Sequence, residues 1–153
     1  MARRFLTILA VFLSFPALAA RVENDAGYKE AGGLAVYLGV LPAAMVRGHE
    51  THPEERMHGG VPTARHAYHV VAALFDAATG ARVEDATVTA RVKPRRLSPE
   101  SRPIERMEIE GTVSYGGYFT MGGDDPYEIE ISVVRAGDSK PVTVAFAYEH
   151  GQR

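Results

Sequence analysis

The 153-residue sequence contains no cysteine and no tryptophan. Without thiols the fold cannot be stapled by disulfides, and any metal must be held by imidazole, carboxylate or thioether. The formal charge of -2 is near balance and no long basic run occurs, so nothing points to nucleic acid as a partner. Serine is sparse and no GxSxG element occurs, which leaves nucleophilic hydrolysis without a candidate. The glycine pairs at 32–33, 59–60, 116–117 and 122–123 fit neither GxGxxG nor GxxxxGK, so they read as turns, bulges or close backbone approaches rather than phosphate cradles. Asp124 and Asp125 beside a proline read as a turn, since a calcium site needs about six or more oxygens. No catalytic group stands out, and the expectation is a protein that is not an enzyme.

An apolar run lies at the N-terminus. Arg3 and Arg4 precede an apolar stretch from Phe5 to Phe15, Pro16 breaks it, and Ala17, Ala19 and Ala20 supply small residues suited to cleavage. Residues 1–20 are therefore expected to be a signal peptide, cut after Ala19 or Ala20. The run is shorter than the roughly 20 residues of a spanning helix, and no cysteine follows it to carry a lipid. The expectation is an exported, periplasmic protein that does not span the membrane after cleavage.

What is present in excess is histidine, in one place. Five of the six histidines, His49, His52, His58, His66 and His69, fall in one short stretch together with Met57. Imidazole with thioether is the donor chemistry preferred by soft and borderline metals, copper above all. Neither of the two HxxH pairs has the HExxH spacing of zinc proteases.

The organisation around that stretch is that of a β protein. Residues 21–33 form a polar lead-in, Leu34 to Leu41 reads as a first or edge strand ended by Pro42, and 47–65 reads as a long Gly, Pro and His-rich loop. Tyr68 to Phe75 is near-continuously apolar, as expected of a strand buried on both faces, and Asp76 to Gly80 is a turn. Alternation then marks strands at Thr87 to Val92, Ile104 to Ile109, Thr112 to Met121, Tyr127 to Arg135 and Val142 to Tyr148. Pro94, Pro99 and Pro103 mark a connection between the two halves. The fold expected over 34–150 is all-β, an immunoglobulin-like sandwich of about seven strands.

The segment from His69 to Asp76, followed by Thr79-Gly80, Val83, Asp85-Ala86 and Val88, resembles the exported β-sandwich domains called YtkA-like or FixH-like. The resemblance spans His66 to Tyr148. It implies copper handling or assembly of respiratory oxidase components at the outer side of the cytoplasmic membrane. Unlike FixH, which is membrane-anchored, this chain has an N-terminal segment that looks cleavable. No ligands carry over from the family, because the His/Met loop precedes the matched region.

The candidate metal ligands follow from the residues themselves. In a straight strand His66 and His69 point to opposite faces, so a single ion takes one of them unless the strand begins after His66. Met57, His58, one of His66 and His69, and Met121 at a strand tip form the favoured set, with His49 and His52 as a weaker second set. Met107 and Met121 could equally fill core gaps. His150, in an exposed-looking Glu-His-Gly ending, is left out. The function expected is copper binding, buffering or delivery by ligand exchange; the alternative is a metal-free interaction module that engages another envelope protein through a sheet edge or loop.

Overall fold

The computed structural model describes residues 27–46, 59–109, 111–123 and 125–150. The candidate signal peptide, and with it His49, His52, Met57 and His58, lie outside the described residues.

Eight antiparallel strands and one helical turn make up the described part: β1 Tyr28–Ala31, β2 Leu34–Pro42, α1 Ala43–Val46, β3 Ala67–Asp76, β4 Ala86–Pro94, β5 Glu100–Ile109, β6 Thr112–Thr120, β7 Tyr127–Arg135 and β8 Val142–Tyr148. The hydrogen-bonded order is β1-β2-β3-β6-β5-β4-β7-β8. β5 passes from one layer to the other: Glu100 to Ile104 pair with β4, and Glu105 to Ile109 pair with β6. Pro103 lies inside this strand instead of in a connection, at the point where the chain changes partner. At the far ends β1 approaches β8, with the Lys29 ammonium 5.7 Å from the centre of the Phe146 ring. The all-β sandwich is thus nearly closed into a barrel.

The eighth strand is β1, which falls within the expected polar lead-in. Its sequence YKEA carries no apolar alternation, yet it pairs with β2 through a turn at Gly32 and Gly33, whose φ angles of 54° and 75° are both in the left-handed region. Two successive positive φ values are what a tight hairpin requires, and glycine supplies them without steric cost.

The core fills the space between the layers. Leu34, Val36, Val70 and Leu74 from one side meet Val88, Val92, Ile129, Ile131, Val133 and Phe146 from the other, with Tyr115, Phe119 and Met121 between them. Along β3 the inward residues are Tyr68, Val70, Ala72 and Leu74, so the intervening Ala67, His69, Val71, Ala73 and Phe75 face outward. The near-continuous apolarity of this strand has a structural counterpart: its outward face is also at least half-buried.

The turn after β3 forms as its sequence suggests. Asp76 Oδ1 accepts hydrogen bonds from the Ala78 amide, the Thr79 amide and the Thr79 hydroxyl at 2.9–3.2 Å. Gly80 adopts a φ of 70°. The Thr79 hydroxyl and amide hold the Asp76 carboxyl below the usual carboxylate range, with Arg135 adding its charge from 3.3 Å.

Candidate metal site

The outward face of β3, β6 and β5 carries the only described histidine that is fully buried. His69 is 1% exposed. Its register partner on β6 is Tyr118, and the two rings stack with centroids 4.6 Å apart and planes at 26°. Tyr118 also packs with Ala67, Ala43 of α1 and Val61 in a small apolar cluster separate from the main core. Ala43 and Val61, on either side of residues 47–58, thus both pack on the face that holds His69.

Met107 reaches the same place from β5. It is 1% exposed, and its register partner is Ser114 on the outward side of β6. Between the His69–Tyr118 row and the Met107–Ser114 row stands Gly116. A Cβ there would lie 2.6 Å from His69 Nε2, 2.6 Å from Met107 Cε and 2.9 Å from Met107 Sδ. The absence of a side chain at Gly116 leaves a pit in the strand surface, which the His69 imidazole nitrogen and the Met107 thioether, methyl first and then sulfur, fill. Glu105 pairs with Gly116 in register and shares the outward parity of Met107, placing an exposed carboxylate in the same row.

The remaining sequence-nominated residues are placed elsewhere. Met121 is fully buried in the main core with Tyr115 and Phe119, on the opposite side of β6 from Tyr118 and His69, so the structure does not bring its sulfur to the pit. The cause is the two-residue period: residues 115, 119 and 121 face inward. His66 is exposed and precedes β3, which begins at Ala67; its carbonyl accepts the Met121 amide at 2.8 Å, and its ring lies beside Gly122. The strand start thus removes the alternation constraint between His66 and His69 without bringing their rings together. Among the described residues no group of three or more His, Asp or Glu side chains converges as a metal site, so the described donors of the pit are mixed imidazole and thioether.

Two residues hold places that the sequence reading did not give them: Met107, read only as a possible core filler, and His150, read as an exposed ending. Met107 follows Ile104 by three positions, and an odd spacing in a strand puts the two on opposite faces. Since Ile104 is in the core, that spacing already sends Met107 outward. His150 is not in an exposed tail: its ring lies 4.7 Å from Tyr68 and 5.3 Å from both Tyr127 and Tyr148, closing one end of the sandwich.

No family model matches the chain, and no curated protein matches it significantly. Solved structures do. A copper-bound variant of FetP from uropathogenic Escherichia coli superposes with a TM-score of 0.62 at 14% identity, covering 82% of this chain and 95% of that one. A copper-bound variant of the P19 protein of Campylobacter jejuni gives 0.61 at 15% identity, covering 80% and 92%. A DUF4426 family protein of Pseudomonas aeruginosa gives 0.60 at 20% identity, covering 80% and 92%. At these identities the likeness establishes a shared fold.

Proposed function

We propose that this chain is an exported, periplasmic copper-binding protein that buffers or delivers the ion from the pit over Gly116. The observation that carries the reading is the convergence of His69 Nε2 and Met107 on one point beneath a stacked tyrosine. A nitrogen and a thioether, both out of water, form a donor pair suited to Cu(I), while a site of oxygens alone would favour hard cations. Met57 and His58, in the segment whose flanks pack on this face, are proposed to complete the shell, with His49, His52 and His66 as peripheral ligands that pass the ion. Met121 is proposed to serve the core rather than the metal. The presence of copper-bound proteins among the structural neighbours supports the choice of metal.

The chemistry is ligand exchange, with no covalent bond made to the protein. In this reading the buried donors, His69 and Met107, hold the ion, and Met57 and His58 exchange it with a partner. Neutral His69 binds, so acid competes with the metal for the imidazole.

Competition of the mature protein with a Cu(I) chelator of known affinity tests the reading. Wild type should withdraw about one equivalent, and the His69→Ala, Met107→Leu double variant should lose at least about a hundredfold in affinity, comparable with loss of second-shell support in other metal sites or more. Equal competition by wild type and double variant overturns it.

A second reading, docking to an envelope protein without metal, is favoured by one observation. Tyr37, Leu41 and Met45 are 49%, 40% and 63% exposed, and Leu41 is the register partner of His69. Capture of the same partner by wild type and by the double variant, with no copper bound to either, would select it.

A further inference from the structure

On the same outward face, at the opposite end from the pit, lies an open surface pocket of about 510 Å³ lined by Tyr28, Tyr37, Phe75, Glu30 and Asp76, over a floor of Ala35 and Ala73. Its size is that of a small-molecule site. The register explains its shape: Tyr28 is opposite Tyr37, Tyr37 opposite Ala73, and Ala35 opposite Phe75, so large rings ring a floor of small residues. The Tyr28 and Tyr37 centroids are 4.6 Å apart, and the Phe75 ring meets Tyr37 edge-on at 5.6 Å.

The two acids at this pocket differ. Asp76 is consumed, by the turn it caps and by Arg135. Glu30 accepts a hydrogen bond from the Tyr28 hydroxyl, and among the described residues no lysine or arginine pairs with it. The pocket therefore combines aromatic walls with one carboxylate that no described lysine or arginine pairs with. The Arg82 guanidinium lies 4.4 Å from the Phe75 centroid, anchored by its bond to the Val113 carbonyl, so a cation already takes that face of Phe75 and Tyr37 supplies the free aromatic surface. Aromatic faces beside a carboxylate favour an ammonium group over a neutral molecule of the same shape, because the ring quadrupole and the charge act together.

We propose that this pocket binds a small soluble organic cation bearing an ammonium group, seated against Tyr37 with Glu30 as its counter-charge. The site is independent of the pit over Gly116, and copper binding can fail without affecting it.

Choline chloride titrated into the ¹⁵N-labelled protein at constant ionic strength is the test, with 3,3-dimethylbutan-1-ol as the neutral isostere. The expected result is saturable shifts at the amides of Ala35, Ala73, Ala77 and Gly80, with the isostere at least about tenfold weaker. Tyr37→Ala should weaken choline at least about fivefold, and Glu30→Gln about threefold. Tyr37 is about half exposed, and Tyr37→Leu keeps the bulk without the ring should the alanine variant misfold. No saturable shift by about 50 mM choline, equal affinity for the isostere, or unchanged binding in Tyr37→Leu overturns the proposal.

Discussion

His69 Nε2 and Met107 Sδ, from strands that are not neighbours in the sheet, lie 2.6 Å and 2.9 Å from the single point where a Gly116 side chain would begin. β6 stands between their strands, and only a residue without a side chain lets the two donors meet across it.

Gly116→Ala should therefore act on copper as well as on the fold. The added methyl displaces both donors, at a cost of about 1–3 kcal/mol of stability, and should weaken Cu(I) binding at least about tenfold. Gly39→Ala on the same face is the control, since its nearest neighbour atom, in Val71, is 4.0 Å away. Chelator competition and denaturant midpoints of the two variants check this, and equal copper affinity in both contradicts it.

Methionine positions separate by face. Met121→Ala, which opens a cavity in the core, should cost about 2–5 kcal/mol in unfolding free energy. Met121→Leu should leave copper affinity within about twofold of wild type, whereas Met107→Leu should lower it at least about tenfold. Urea unfolding and competition titration on the same samples distinguish the two roles.

How far these placements can be read from the chain depends on which force sets them. Alternation in β7 and β8 reports burial directly, and those strands run from Tyr127 to Arg135 and Val142 to Tyr148, the bounds that their apolar period suggests. β1 escapes the same reading because an edge strand of YKEA is held by backbone pairing and by the glycine turn, neither of which leaves an apolar period. The histidine cluster includes His69, which the structure buries, but its sulfur neighbour comes from a strand 38 positions away, through sheet order that no local pattern encodes. Met121 looks like a strand-tip ligand until its parity with Tyr115 and Phe119 is known.

Tyr28 should titrate late. Its hydrogen bond to Glu30 pushes the phenol up to about 12 from 10.0. The neutral phenol is the favoured form in the folded chain, so this contribution to stability is complete below the unfolded value near 10.0 and is lost as pH rises toward about 12. Absorbance at the tyrosinate band should show one of the seven tyrosines moving to lower pH in Glu30→Ala. An unchanged titration curve contradicts the contact.

Asp76 has the opposite sign. Its carboxylate is held below the usual range, first by the Thr79 hydroxyl, so its contribution is present above the unfolded value and is lost as pH falls through the folded one. Asp76→Asn should lower the Tm at neutral pH, and the difference from wild type should shrink as the solution is acidified. A difference that stays constant with pH would indicate that the charge is not what the turn uses.

The most direct test of the account is the copper absorption fine structure of the Cu(I)-loaded mature protein. The account predicts a shell of mixed sulfur and nitrogen, with sulfur depleted in Met107→Leu, nitrogen depleted in His69→Ala, and both retained in Met121→Leu. A shell unaltered by Met107→Leu and His69→Ala, or one that loses its sulfur in Met121→Leu, contradicts the pit over Gly116 as the metal site.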